Sequence, residues 1–553
     1  MLVQTKNTKY AKYAAYALCV SALLWFGMGV PLVFAGAVYL AVARFLRRPL
    51  ETGEGIEAVE SRASLWGAAA FVSLALIASL YFFLLTRGTG ELLAHDMLSG
   101  SFDSLADGLM RGTAEVDPET IRWEAFVVEG RSYLYFGPWP ALLRIPLHWL
   151  APDLFGQWAR LSCLVAAALS LAAFALMAIR TLHKNRSLGD QEKHFLLVTS
   201  LLAFGLATPL PFLMTQGSIY HESILWALAG SICFGAGVIP RLHAPELLRQ
   251  KLLLLSTIAG ATFMARVTYG APLYLILLLI AGTELLRRFR ADRQGVRGEI
   301  ANLFVALLPA GLTLVFCLWY NFDRFGSVFT FVDYRLLGFM QANPSTLEIL
   351  DQTGVFNLRR LLPALDNYFI PSAEMVSRNF PWFRVTLPQY PDLDLYPRIF
   401  HSYLVPLTVA SSWLVFGGVV GMVYLFRSAG RKFGWLCLLA LLTEALLICT
   451  YYIMELRYEV DLIPLFVFGY GAFLAEVSAR GPLRGRAQDL VTIVMFAAAA
   501  SAIVTLSSTL SAIPMGGPAH SSSYKDEWRQ RFRAVDAVML GRGGGSTLDR
   551  GFQ

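Results

Sequence analysis

The chain has 553 residues, 56% of them hydrophobic and only 15% charged, with a mean hydropathy of +0.53. Soluble chains carry about 25% charged residues, and the shortfall here is gathered into separate charge-free blocks of membrane-spanning length, which excludes a water-soluble architecture and predicts an all-α polytopic integral membrane protein. The net charge of +7 does not point to nucleic acid, because the basic residues sit mainly in short loops between apolar blocks, where they set orientation in a bilayer.

Lys6, Lys9 and Lys12 precede an apolar run that continues to about Ala43 with no small-residue cleavage site, so residues 1–50 read as a retained helix or a helical hairpin broken between Gly27 and Pro31. Uncharged runs then predict spans near 64–86, 157–180, 195–208, 222–240, 252–266, 268–285, 300–320, 402–426, 433–453, 460–477 and 489–512; with 13–28 and 31–46 these make about 12 to 13 transmembrane helices. Several fall short of the roughly 20 residues that cross a bilayer upright, so they tilt or end at a water-filled cavity. Six loops, near 44–62, 180–193, 241–251, 287–297, 427–432 and 480–486, hold 22 of the 46 Lys and Arg and are assigned to the cytoplasm. Two long segments of opposite parity, 87–156 and 321–401, and the tail from about 513 then face outward. The expected organisation is an N-terminal element (1–50), a core (64–480) carrying both long loops, and a last span with its extracytoplasmic tail (489–553). All six cysteines lie in apolar blocks, which implies neither a disulfide framework nor a zinc site, and no internal repeat is seen.

The first outer segment opens with an acidic stretch in which Asp96, Asp103, Asp107, Glu115, Asp117, Glu119 and Glu124 follow a span end closely. A carboxylate there can act as general base toward a hydroxyl whose phosphorylated co-substrate stays in the lipid; taken singly, each also reads as a solvated face or helix cap. SFDSLADGLMRG reads as a short interfacial helix with Asp103 near its start. A turn at Glu129 and Gly130 leads into GRSYLYFGPWPALLRIP, whose Tyr133 and Tyr135 suit either a headgroup-level belt or a platform for a sugar ring.

Further along, Arg266 and Arg457 sit in very short outer loops against the basic-inside bias and need an anionic partner, either a phosphate ester at headgroup depth or a carboxylate such as Glu455 or Glu459. His221 and Glu222 open a span after a Pro/Gly-broken approach and either bind hydroxyls or cap the helix; Asn321 and Arg324 in YNFDRFGS have the same standing. Glu444, inside a span, requires a partner within the bundle.

In order, SFDSLADGLMRG, GRSYLYFGPWPALLRIP, YHES at Tyr220 to Ser223, WYNFDRFGS at Trp319 to Ser327 and ELRYEVDLIP at Glu455 to Pro464 resemble the glycosyltransferase C superfamily, in particular bacterial members of the protein mannosyltransferase and aminoarabinose transferase branch. The likeness is one of feature order over about residues 64 to 480, and it departs from that branch in lacking a paired acidic motif at Asp103. It implies juxtamembrane helices on the two long loops and transfer of a sugar from a polyprenyl-phosphate donor to a glycan, lipid or protein acceptor at the outer face of a bacterial cytoplasmic membrane, with inversion. Asp103 is then the expected catalytic acid/base and Glu124 its rival. Arg266 and Arg457 would bind lipid phosphate; Tyr133, Tyr135, His221, Glu222, Asn321 and Arg324 would bind sugar or acceptor. No cofactor or nucleic-acid partner is implied, and a divalent cation is left open. The competing expectation is a transporter or flippase of lipid-linked sugars.

Overall fold

The computed structural model describes residues 29–47, 65–183, 188–242, 245–291, 296–330, 332–390, 395–396, 403–427, 432–513 and 522–540. The chain is an all-α polytopic membrane protein: nine helical stretches among the described residues are long and apolar enough to cross a membrane. The expected span at 13–28, and with it the question of one crossing or two, lies outside the described residues.

Helices α1 (Gly29–Leu46) and α2 (Ala68–Thr86) pair first. They are locked by reciprocal bonds in which the Tyr39 hydroxyl donates to the Trp66 carbonyl (3.0 Å) and the Trp66 indole donates to the Tyr39 carbonyl (2.9 Å). The first long loop follows, containing α3 (Ser101–Met110), a hairpin of β1 (Phe126–Val128) and β2 (Arg131–Tyr133), and α4 (Trp139–Leu150). Glu129 and Gly130 both take positive φ, the two-residue turn whose twist matches a hairpin. Then come α5 (Ala159–His183), α6 (Asp190–Leu206), α7 (Ile219–Val238), α8 (Leu252–Ala265), α9 (Val267–Ala291) and α10 (Val296–Phe325). The second long loop carries α11 (Pro344–Thr353) and α12 (Leu361–Phe369), before α13 (Ser412–Arg427), α14 (Lys432–Cys449), α15 (Ile463–Ala479), α16 (Arg486–Ala512) and α17 (Ser522–Leu540).

Twelve of the thirteen expected spans coincide with helices. α8, α13, α6 and α15, at 14, 16, 17 and 17 residues, are the short ones, and short helical turns from Leu456 lead into α15. The tightest helix pair is α13 against α15, where small residues let the backbones touch: a Cβ on Gly421 would lie 1.9 Å from the Gly469 carbonyl oxygen. Arg44, Arg180, Arg288, Arg290 and Arg427 all terminate helices at one end of the bundle, where cations suit the C-terminal dipole. The two long loops cover the opposite end. α17 joins them there, because the Phe380 amide donates to Asp536 (2.7 Å) and the Phe532 ring packs on Phe380. That tail helix was not expected from sequence, although Trp528, Phe532 and Asp536 recur at four-residue spacing on its buried face.

Candidate functional site

Two groups of charged side chains meet at the loop-covered end, and they differ in what they face. The first is closed. Asp103, in the first turn of α3, points at Arg144 of α4 (Oδ2 to Nε, 3.5 Å) and at His148 one turn further on (Oδ1 to Nε2, 3.4 Å). The other side of Arg144 donates to Glu222 of α7 (2.6 Å), and His148 reaches Asp107 through Nδ1 (2.7 Å). Asp103 and Glu222 are fully enclosed, and Arg144 is 2% exposed. Burial pushes the Asp103 carboxyl above the usual carboxylate range, against the lowering effect of Arg144 and His148. The arrangement fastens the amphipathic loop helices to a core span. Asp96 does the same nearby: Arg160 of α5 grips it with two donors (2.8 and 2.9 Å), and the Gly217 amide adds a third (2.9 Å).

The second group lines a cavity of about 690 Å³. The loop segment from Tyr135 to Pro138 forms its roof, seated on the end of α8 so closely that a Cβ on Gly137 would fall 1.9 Å from the Met264 carbonyl oxygen. Arg266, at the break between α8 and α9, Arg324 at the end of α10 and Arg457 before α15 make the polar wall. Phe263, Val267, Ala271, Leu447 and Ile448 make an apolar one. Arg266 is 2.9 Å from Asp461. Arg457 pairs with Glu455 and lies over the Tyr220 ring, 4.2 Å from its centre. Arg324 is consumed by the protein itself: it donates to the carbonyls of Leu134 (2.8 Å) and Tyr320 (3.2 Å) and to Asn321 Oδ1 (2.6 Å). Beside it, Asp323 accepts from the Ala114 amide (2.6 Å) and the Thr113 hydroxyl (3.2 Å), tying the first loop to α10.

Glu124 stands directly behind this cavity. The hydroxyl of Tyr220, itself a lining residue, donates to Glu124 Oε1 at 2.5 Å. Burial pushes the Glu124 carboxyl above the usual range, opposed by the Tyr220 hydrogen bond, the Arg457 charge and the Tyr135 hydroxyl. A partly desolvated carboxylate next to a cationic cleft is suited to proton abstraction near neutral pH.

The structure thus brings Tyr135, Arg266, Asn321, Arg324 and Arg457 into the cavity lining, with Glu124 outside it but hydrogen-bonded to the lining residue Tyr220, and leaves the other four expected residues away from the cavity. Asp103 and Glu222 are turned into the closed group. His221, in the first turn of α7, is buried with Nδ1 on the Leu213 carbonyl (3.0 Å), and its amide meets the capping Ser218 hydroxyl (3.4 Å). Tyr133 is held in the hairpin opposite Phe126. Asp461, Tyr334 and Tyr451 went unnoticed in the sequence; the last two share a 2.5 Å hydroxyl contact on the cavity wall. Asp461 lies only two residues beyond Glu459, and its spacing from Arg457 on a helical turn was the signal. Among the described residues, no group of three or more His, Cys, Asp or Glu side chains is placed to hold a metal ion.

No family model matches the chain, and no curated protein does. Two solved structures are similar to it: the archaeal oligosaccharyltransferase AglB from Archaeoglobus fulgidus in complex with an inhibitory peptide and a dolichol-phosphate, and the oligosaccharyltransferase of the same organism in the apo form. Each is 12% identical, with TM-scores of 0.42 and 0.40, over 83% of this chain. The chain spans 59% of the length of each.

Proposed function

We propose that this chain is a membrane glycosyltransferase that moves a sugar from a polyprenyl-phosphate donor to a hydroxyl of a glycan, lipid or protein acceptor, at the extracytoplasmic face of a bacterial cytoplasmic membrane and with inversion. The observation that carries this reading is the cavity itself, in which arginines and an apolar wall share one space beside a half-buried carboxylate. That combination suits a ligand with a phosphate at one end and a hydrocarbon chain at the other, next to a reacting hydroxyl.

In this mechanism Arg266 and Arg457 hold the donor phosphate, and the chain follows the apolar side between α9 and α14. Tyr135 and Asn321 contact sugar or acceptor, while Arg324, whose donors are occupied, shapes the wall. The acceptor hydroxyl gives its proton to Glu124 as its oxygen attacks the anomeric carbon. The bond from that carbon to the phosphate oxygen breaks, and the two arginines stabilise the charge that gathers on the departing polyprenyl phosphate. Glu124 takes this role in preference to Asp103 because it adjoins the cavity, whereas Asp103 is enclosed by Arg144 and His148 and acts with Glu222 in support of the loop.

Purified protein incubated with radiolabelled polyprenyl-phosphate sugars and a panel of acceptors tests the reading. Label should pass from lipid to acceptor, and Glu124→Gln should stop it. Movement of intact lipid-linked sugar across proteoliposomes without any transfer would replace it with the flippase reading.

A further inference from the structure

The second long loop changes character along its length. Between Thr330 and Val355 no large apolar side chain is exposed among the described residues, and α11 presents Glu348, Asp351 and Gln352 instead. On either side of that stretch the reverse holds. Phe322 and Phe329 are exposed before it, Phe356, Leu358 and Leu362 after it, with Phe329 at 82% and Phe356 at 50%. Far apart in sequence, Phe329 and Phe356 both line the cavity. A single exposed phenylalanine means little, but apolar side chains gathered round the mouth of a cavity form a patch that water disfavours.

The packing of the spans shows what this patch faces. α9 packs against both α10 and α14, whereas no extended packing joins α10 to α14 among the described residues. The cavity follows that order, with Val267 and Ala271 of α9 at its back, Cys317 of α10 on one side and Leu447 and Ile448 of α14 on the other. Phe329 belongs to the α10 flank, where the Asn321 amide donates to the Val328 carbonyl (3.2 Å). Phe356 belongs to the α14 flank: it bridges to Tyr451 through the backbone, the two rings lie 5.6 Å apart, and the Asn357 amide donates to the Thr450 carbonyl (2.9 Å). Towards the middle of both spans the flanks stay apolar and exposed, through Leu312 and Val315 on α10 and Leu442 and Leu446 on α14. Helices with such surfaces meet lipid, and the patch carries that surface up to the arginine-lined end of the cavity.

Resting on the reading of the cavity as a donor site, we infer that it opens sideways into the outer leaflet through the cleft between α10 and α14, and that Phe329 and Phe356, one on each flank, hold the hydrocarbon chain of a prenyl phosphate as it leaves the cavity. The phosphate lies at Arg266 and Arg457, and the chain passes between the two rings into the bilayer. The donor thus reaches the arginines without leaving lipid, while α11 stays in water. The occupant is a lipid chain because the lip is continuous with the bilayer-facing surface of both spans beneath it.

Nitroxide labels on Phe329→Cys, Phe356→Cys, Leu312→Cys and Glu348→Cys, in full-length protein without its native cysteines and reconstituted in liposomes, test the opening. Collision with oxygen, which concentrates in hydrocarbon, should exceed collision with a water-soluble nickel complex at the two phenylalanine positions as it does at Leu312→Cys, and the order should reverse at Glu348→Cys. If both phenylalanine positions instead follow Glu348→Cys, the mouth faces water and the inference is overturned. Farnesyl phosphate tests the grip in unlabelled protein. Phe329→Ala and Phe356→Ala should each weaken its binding by about two- to ten-fold, the scale of an aromatic contact, and leave the binding of inorganic phosphate unchanged. Both side chains are exposed, so neither variant endangers the fold. Absence of farnesyl phosphate binding to folded wild type, or unchanged affinity in both variants, overturns the inference, and sugar transfer by the same preparation would leave the transferase reading standing. The expected labelling and binding results in protein that transfers no sugar would keep the opening and remove that reading.

Discussion

The closed group around Arg144 and the open group around Arg266 and Arg457 are made of the same residue types at the same end of the bundle, yet they do different work. Arg144 has an acid on each side and no free space, so all its interactions are internal. Arg266 and Arg457 each have an acid on one flank and a cavity on the other. A buried ion pair gives little net stability, because desolvation offsets the attraction, but removing one partner is severe. Under the proposed function the closed group is a fastener that is costly to break, and the open group a grip whose partner can be exchanged. Charge and position in sequence do not separate the two; only the space beside each arginine does.

The comparison is broken most directly by exchanging the acids. Glu124→Gln should lower turnover by about 10²- to 10⁴-fold, the usual worth of a general base, with donor binding retained. Asp103→Asn should leave turnover within a few-fold of wild type while lowering the thermal stability of the solubilised protein. If Asp103→Asn instead abolishes turnover and Glu124→Gln does not, the enclosed carboxylate is the base and the division between closed and open groups is wrong.

The arginines sharpen the comparison next. Arg144→Met would leave Asp103 and Glu222 enclosed without a counter-charge, a loss of about 3–5 kcal/mol that should appear as a lower unfolding temperature or poor yield. Arg266→Gln and Arg457→Gln leave Asp461 and Glu455 behind a cavity that admits water, so their stability cost should be smaller. Donor affinity should instead fall by roughly ten- to hundred-fold in each, with Lys restoring only part of it for want of a two-pronged fork. Equal loss of stability in all three variants, with donor affinity unchanged, would make both groups fasteners.

Much of this is legible in the sequence. Apolar blocks and basic loops gave twelve spans and the end to which the long loops belong, since both follow from the composition of each segment taken alone. Arg266 and Arg457 were legible because each stands where a basic residue is disfavoured, and both line the cavity. Asp103 and Glu124 were not distinguishable: which of them meets a cavity-lining side chain depends on how the hairpin at Glu129 and Gly130 folds back and where α4 docks, both tertiary outcomes. The same holds for Glu222, whose position at the start of α7 suited a binding role until Arg144 came in from a segment 78 residues earlier. Glu444 was expected to need a partner; its neighbours Asp461 and Arg266 come from two other elements, which no local pattern reveals.

The smallest expected effect tests the link between the acid and the cavity. Tyr220 both lines the cavity and donates to Glu124, and that hydrogen bond favours the ionised carboxylate. Burial already holds the Glu124 carboxyl above its ordinary range, so the acid limb of the rate profile in wild type should lie above the roughly 4.3 of an unperturbed glutamate. The base works only when deprotonated, so anything that favours the neutral form moves that limb to higher pH. Tyr220→Phe keeps the ring beneath Arg457 and removes only the hydroxyl. Loss of one hydrogen bond worth about 1 kcal/mol should raise the limb by somewhat less than one pH unit. Turnover on the alkaline plateau should change by no more than a few-fold, because the ionised carboxylate is still present there. A limb that moves downward, or stays fixed while the plateau collapses, would mean that the group titrating in the rate profile is not Glu124.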